Sequence, residues 1–327
     1  MERLLRLVWL SLLGVAALFT LVMIFGPREP LQPETSFDRS LLRDGVDTYL
    51  QLQEGRFTDI KPGLEKRVIW RALKDVPTDM AVVYVHGFSG SLQSMRPMPD
   101  RVATALDANL VFTRLRGHAR TPEALGRARA SEWREDLDEV LGIARHVGRE
   151  VVIIASSTGA SLVVAAAADD PGMMEAVKGM VLISPNFGVA DPKAALLHLP
   201  AGRYWVPYLA GRRWGFEPQN DQHARFWTYD YPSTALFPMA AIARAAARAD
   251  HTSINVPVLF YYSEEDKIVD GTLTTEIAGQ WAGPVTTASP ALGKGVDPNA
   301  HVIAGDILSP ANTGPATQAI VDWVGGL

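Results

Sequence analysis

The sequence predicts an α/β fold built on a mainly parallel sheet. From about Asp38 onward, short β-branched runs alternate with longer stretches of helical pattern. The runs VVYV, VVII and MVLI are apolar at consecutive positions, as strands covered on both faces by helices must be. The composition, 47% hydrophobic and 20% charged in 327 residues, supplies enough apolar material for a sizeable core. It excludes a disordered, collagen-like or coiled-coil chain. A formal charge of −5 leaves no overall basic field to draw the chain to nucleic acid. The absence of cysteine removes disulfide frameworks, cysteine-ligated zinc, iron–sulfur clusters and thiol nucleophiles.

At the amino terminus, Leu7 to Gly26 form twenty positions without a formal charge. At about 1.5 Å per residue such a helix spans the roughly 30 Å hydrocarbon core of a bilayer. Only Ser11 and Thr20 are polar, so the one-sided pattern of a surface helix is missing. Arg3 and Arg6 place the N-terminus in the cytoplasm. The competing reading is a cleaved signal peptide, but its apolar region usually runs about 7–15 residues and ends at a small-residue site. Phe25-Gly26-Pro27-Arg28 offers no such site. Residues 1–26 therefore read as an uncleaved, single-pass anchor in the plasma (inner) membrane, with the body on the extracytoplasmic or periplasmic side. Residues 27–37, with Pro27, Pro30 and Pro33, read as a linker.

Strands are expected at Arg67–Arg71, Ala81–Val85, Leu110–Arg114, Val151–Ala155, Met180–Ile183, Val258–Tyr262 and around Pro284–Ser289. Helices are expected at Pro97–Leu106, Ser131–His146, Gly159–Ala168, Gly271–Trp281 and Thr317–Val324. The alternation breaks once, between Asn186 and Asn255, in a segment rich in aromatics and without a strong strand. So long an insertion reads as a helical cap, some of whose aromatics line an apolar substrate tunnel while most form the cap's own core. The body thus divides into 38–186, a first part of the core, 187–255, the cap, and 256–327, the second part.

The segment VVIIASSTGASLVV, Val151 to Val164, runs an apolar strand directly into a small-residue helix. A serine exposed on such a turn needs very small residues two positions to either side, because the backbone there is strained. Ser157 has Ala155 and Gly159. Ser156 would have Ile154 and Thr158, and Ser161 would have Val163 on one side. Ser157 is the candidate nucleophile, although a serine at a helix start is also an ordinary cap. Upstream, AVVYVHGFSGS puts a Gly/Ser-rich loop after a buried strand, and the backbone N–H groups of Phe88 and Thr158 are the candidate oxyanion donors. His86 reads as structural. Downstream, a strand at Val258–Tyr262 leads into Glu264, Glu265, Asp266 and Asp270; Asp266 is the choice among these acids. His301 alone of seven histidines lies in a loop beyond the acid and near the carboxyl end, where a base can reach the serine. His118, His146, His198, His223 and His251 read as surface or cap residues.

A strand, an HGF loop, a serine turn, an acid and a histidine, in that order, resemble the α/β-hydrolase superfamily over about residues 60–327. HGFSGS, the Leu115-Arg116-Gly117-His118 turn and Ser-Thr-Gly at the elbow look like its esterase and lysophospholipase-type, monoacylglycerol-lipase-like branch. The resemblance implies an eight-stranded sheet, a cap inserted after the sixth strand, an acyl-enzyme intermediate, and neither metal nor cofactor. Serine in place of aspartate at the elbow separates the chain from haloalkane dehalogenases and epoxide hydrolases. The expected activity is hydrolysis of small-molecule or lipid acyl esters, of carboxylesterase or lipase type. Alternatives are a thioesterase, an amidase or peptidase, a carbon–carbon hydrolase, and a non-catalytic membrane-tethered homologue. The expected partners are the ester substrate and a membrane, without nucleic acid. Arg114, Arg116, Arg120, Arg127, Arg129 and Arg134 crowd into 21 residues and read as a solvated face balanced by nearby acids, or as a contact to lipid phosphates or an anionic substrate.

Overall fold

A computed structural model describes residues 1–327. The chain opens with helix α1 (Glu2–Phe25), 24 residues with none buried, and about 36 Å long at the α-helical rise. It is long and apolar enough to cross a membrane. Residues 27–37 are extended but pinned to the body rather than free. The Glu29 carboxylate receives Arg129 and Arg203 at 3.4 and 3.1 Å, and the Phe37 N–H donates to Asp138 at 2.7 Å.

After α2 (Val46–Glu54), the sheet is assembled from β1 (Arg67–Ile69), β2 (Thr78–Val85), β3 (Asn109–Phe112), β4 (Gly148–Ser156) and β5 (Val177–Ile183), then later from two more strands. Helices α3 (Met98–Ala105), α4 (Pro122–Arg127), α5 (Ala130–Val147) and α6 (Thr158–Asp169) lie between them. The insertion holds α7 (Gly202–Ala210), β6 (Arg213–Gly215), α8 (Asp221–Phe226), β7 (Asp230–Pro232) and α9 (Leu236–Ala247). The chain closes with β8 (Val258–Tyr261), α10 (Gly271–Ala278), β9 (Val285–Ala288) and α11 (Pro310–Gly325).

The sheet has seven strands in the order β1-β3-β2-β4-β5-β8-β9. All neighbours are parallel except β1, which runs antiparallel to β3. This is an α/β-hydrolase sheet one strand short of the expected eight. The segment ahead of β1 is occupied by the helix α2 and turns, so no outermost strand precedes it. The insertion accordingly follows the fifth strand of the chain and not the sixth. Successive residues of each strand feed opposite faces, as a period of two dictates. Val83, Val85, Ile153 and Leu182 enter one apolar cluster; Val82, Tyr84, Ile154 and Val181 enter the other.

Two further expectations are corrected in the insertion. It contains a short antiparallel ribbon, β6 with β7, where no strand was expected. Its last helix, α9, buries Ile242 and Ala246 in the cluster that also holds Leu162 and Ala166 of α6, so it belongs to the core layer. The closing helix starts at Pro310, seven residues before the expected Thr317. Proline at a helix start costs nothing because its missing N–H has no acceptor there; Pro315 is carried inside the same helix.

Candidate active site

The carboxyl edge of the sheet carries four loops, following β2, β4, β8 and β9, and these bring the candidate residues together. Order reverses about β2, with β3 on one side and β4 on the other, which opens a crevice at that edge. Ser157 sits between β4 and α6 with φ 51° and ψ −122°, a strained backbone for a residue with a side chain. Close packing explains its neighbours. A Cβ at Gly159 would lie 2.5 Å from the His86 carbonyl oxygen and 2.6 Å from that of Val85, so nothing larger than glycine fits. The Ser157 N–H donates to Ile183 at 2.8 Å, tying the turn to β5. The other two serines are engaged elsewhere: Ser156 Oγ lies 3.2 Å from the Tyr84 hydroxyl, and Ser161 Oγ donates to the Asn186 carbonyl at 2.5 Å.

His301 Nε2 lies 3.0 Å from Ser157 Oγ, and its Nδ1 lies 2.7 Å from Asp266 Oδ2. A carboxylate can only accept, so Nδ1 carries the proton and Nε2 is left to accept from the serine hydroxyl. The Asp266 side chain is 1% exposed, and its Oδ1 receives the N–H groups of Ile268 and Val269 at 2.8 and 3.0 Å. Among the other acids of this loop, Glu264 accepts from Thr275 and Asp270 caps α10. Neither faces His301.

Two residues that the sequence did not mark hold this arrangement. Asp297 is buried and accepts the N–H groups of His301 and Val302 at 3.4 and 2.9 Å and the Gln219 amide at 2.8 Å. Lys267 joins the acid loop to the histidine loop through its N–H to Asn299, and its ammonium donates to the Pro298 carbonyl. An aspartate four residues before the histidine in a turn-rich loop was the available signal.

The loop after β2 lies against the serine. A Cβ at Gly87 would come within 3.0 Å of Ser157 Cβ and 3.6 Å of its Oγ. The Phe88 N–H makes no hydrogen bond within the protein, and Thr158 is the first residue of α6, where N–H groups have no intrahelical acceptor. His86 fixes the loop. Its Nε2 accepts the Leu115 N–H at 3.1 Å, so its Nδ1 must carry the proton that reaches the Gly87 carbonyl at 2.9 Å. Burial pushes its pKa down to about 4, which keeps the ring neutral.

A small cavity of about 50 Å³ adjoins Ser157 and His301, lined by Phe88, Ser94, Met95, Trp227 and Val302 without any carboxylate. Of the insertion's aromatics, Trp227 alone lines it. Tyr231 packs on Phe88 at 5.2 Å, whereas Tyr204, Tyr208, Trp214 and Tyr229 are exposed. The Thr228 N–H donates to the Ser89 carbonyl at 2.8 Å, and Lys61 holds the Trp227 carbonyl at 3.1 Å.

His118 departs from expectation: it is buried in the core, not superficial, while His223 and His251 lie within the insertion as expected and are buried there. A neutral imidazole buries well once a ring nitrogen is paired, as His251 is with the Ala246 carbonyl at 2.9 Å. The His118 ring packs against His86 at a tilt of 59°, with centroids 4.8 Å apart. Five of the six clustered arginines are compensated, Arg114 by Glu54, Arg116 by Glu132, Arg120 by Asp59, Arg129 by Glu29 and Arg134 by Asp169, while Arg127 is exposed and forms no ion pair. Arg114 and Arg134 are buried, so this is no solvated face. No group of three or more His, Asp or Glu side chains is arranged to hold a metal ion.

Comparison with known proteins agrees with this architecture. Residues 77–287 match the family described as serine aminopeptidase, S33. The chain is 26% identical over 191 residues to the thermostable monoacylglycerol lipase of Bacillus sp. (strain H-257), covering 58% of this chain and 72% of that protein. A solved structure reported with LipS and LipT, two metagenome-derived lipolytic enzymes, superposes with a TM-score of 0.67 at 20% identity, over 82% of this chain and 100% of that one. A soluble variant of monoglyceride lipase from Saccharomyces cerevisiae does so with a TM-score of 0.57 at 11% identity, over 92% and 96% of the two chains. At those identities the structures speak for the fold, while the family match covers well over half of the chain. The chain therefore belongs to the serine aminopeptidase S33 family and is an α/β-hydrolase of the esterase and lipase branch.

Proposed function

We propose that the protein is a membrane-anchored serine hydrolase that cleaves carboxylic esters of the monoacylglycerol kind through an acyl-enzyme. The observation that carries this reading is the chain of contacts from Ser157 Oγ to His301 Nε2 at 3.0 Å and from His301 Nδ1 to Asp266 at 2.7 Å. In the first half-reaction Ser157 Oγ attacks the ester carbonyl carbon while its proton passes to His301 Nε2. The carbonyl oxygen becomes an oxyanion held by the N–H groups of Phe88 and Thr158. The imidazolium, stabilised by Asp266, then returns its proton to the leaving alkoxide, and the alcohol departs. In the second half-reaction His301 takes a proton from water, hydroxide character attacks the acyl carbon, and Ser157 recovers its proton as the acid leaves.

The ester preference is supported by the relative from Bacillus and by the neutral lining of the cavity. An aminopeptidase needs an anionic group to hold the substrate's free ammonium, and no carboxylate lines the cavity at Ser157. The anchor reading, with the body outside the cytoplasm, is supported by α1 and by Arg3 and Arg6 ahead of its apolar run. Labelling by a fluorophosphonate probe tests the nucleophile. The wild type should label and a monoacylglycerol should compete, whereas Ser157→Ala should not label. Equal labelling of both proteins overturns the assignment. Carbonate extraction and protease shaving test the anchor: the full chain should stay with membranes and be digested only from the outer face.

A further inference from the structure

We propose that the cavity at the foot of α1 binds the phosphate headgroup of an anionic phospholipid and thereby holds the body against the bilayer. The inference rests on α1 being a membrane helix; it does not depend on the chemistry at Ser157.

The cavity measures about 480 Å³ and is lined by Arg28, Arg129, Arg203, Arg244, Arg248 and a single acid, Glu29. Five guanidiniums against one carboxylate is an abrupt concentration of positive charge in a chain whose formal charge is −5. Glu29 is already taken, since its nearly buried carboxylate binds Arg129 and Arg203. Arg28, Arg244 and Arg248 line the same space and form no ion pair. Arg244 in the last turn of α9 and Arg248 at its C-cap lie four residues apart, and burial together with their charges holds the His198 imidazole below its ordinary pKa. Three unpaired cations converge on one cavity. A phosphate offers the acceptor oxygens that a set of guanidiniums recognises.

Position selects a membrane lipid as the source of that phosphate. Pro27 and Arg28 follow α1 after its C-cap Gly26, and the Pro27 carbonyl accepts the Ala201 N–H at 2.7 Å, so the end of α1 and the start of α7 are joined. With α1 spanning the hydrocarbon core, the cavity mouth falls at headgroup height. Beside it α7 exposes Tyr204 and Tyr208, 60% and 70% exposed and four residues apart on one face, followed by Leu209. Tyrosine is favoured at that depth of a bilayer. Leu31, Leu199 and Phe237 add apolar wall for the glycerol and first methylenes. Each unpaired arginine near an anionic surface contributes in the same direction, which favours a net-negative lipid over a zwitterionic one.

The full chain in detergent, titrated with phosphatidylglycerol or phosphatidylcholine and read by native mass spectrometry, tests the proposal. The wild type should retain phosphatidylglycerol at least about tenfold better than phosphatidylcholine, and the Arg244→Gln/Arg248→Gln variant should lose that preference. Arg28→Gln, on the exposed linker, should weaken it separately without touching a helix. Both variants should keep wild-type activity on a water-soluble ester. Equal retention of the two lipids by the wild type, or an undiminished preference in the double variant, overturns the proposal. Displacement of the lipid by millimolar inorganic phosphate overturns its assignment to a membrane source. If the wild type fails to hydrolyse esters, the hydrolase reading falls while lipid retention still reports on this site.

Discussion

The backbone N–H of Lys267 donates to the carbonyl of Asn299 at 2.9 Å, one residue after Asp266 and two before His301. The candidate acid and the candidate base therefore stand on loops that are bonded to each other as well as to the sheet. Misplacement of a catalytic group by an ångström costs about a hundredfold in rate, so such bonds matter more to turnover than to folding.

Ser157→Ala should lower kcat/KM on a short p-nitrophenyl ester by on the order of 10⁵, leaving only what binding and the oxyanion donors supply. Ser156→Ala and Ser161→Ala should keep most of the activity, with Ser161→Ala about 1 kcal/mol less stable for want of its bond to Asn186. Near-wild-type turnover by folded Ser157→Ala would sink the mechanism.

Asp266→Asn should reduce kcat by roughly 10⁴, because an amide cannot stabilise the imidazolium and selects the wrong tautomer. Glu264→Gln and Glu265→Gln should be nearly silent, since His301 Nδ1 pairs with Asp266 and neither glutamate bonds to it. Steady-state kinetics on the three proteins decides between them.

Asp297→Ala should lower kcat by about a hundredfold with little change in KM, since it frees the backbone of His301 and Val302 without touching substrate. Asp297→Asn, which keeps an acceptor oxygen, should recover part of the loss. A purely structural role would instead lower thermal stability alike in both variants and spare kcat in whatever remains folded.

Between pH 6.5 and about 4, the unfolded chain binds a proton at His86 that the folded chain refuses. Stability should thus be full above that window and fall as pH drops through it, by up to about 3 kcal/mol from this residue. His118, whose pKa is lowered by burial and by the adjacent His86, acts in the same direction. Thermal melts from neutral pH downward check this; a melting temperature indifferent to pH across the window contradicts it.

A chain beginning at Pro27 should be more stable than one beginning at Glu34 by on the order of 1–3 kcal/mol. The shorter chain lacks Glu29 and leaves the nearly buried Arg203 guanidinium without its carboxylate. Denaturant unfolding of the two bodies measures the difference.

What was legible in the sequence was local. The elbow could be read because the strain at Ser157 demands small residues at 155 and 159, and both lie within two positions of it. The buried strands announced themselves through consecutive apolar residues. What depends on distant partners was hidden. The apolar stretch of α9 signals a helix but says nothing of α6, against which it packs. The missing eighth strand was an expectation from resemblance, and the helical segment before β1 had no strong pattern to oppose it. His118 and His251 look like surface residues until the ring contacts and carbonyls that make burial tolerable are known. Asp297 is silent in the sequence because its oxygens serve backbone N–H groups and the distant Gln219 amide, which no motif records.

The 2.8 Å bond from Thr228 to Ser89 has a kinetic meaning. A space of about 50 Å³ beside Ser157 holds little more than a water or two, far below the roughly 300 Å³ of an ordinary ligand pocket. Trp227 is the insertion's one aromatic in that lining, and its neighbour Thr228 makes the bond that steadies the loop carrying Phe88. Under the proposed function, a long acyl chain is expected to enter by lifting this roof of Trp227, a cycle that loads the loop offering the Phe88 N–H. Short esters escape that cycle, so slowing the roof with viscous solvent should tax long chains and leave short ones untouched.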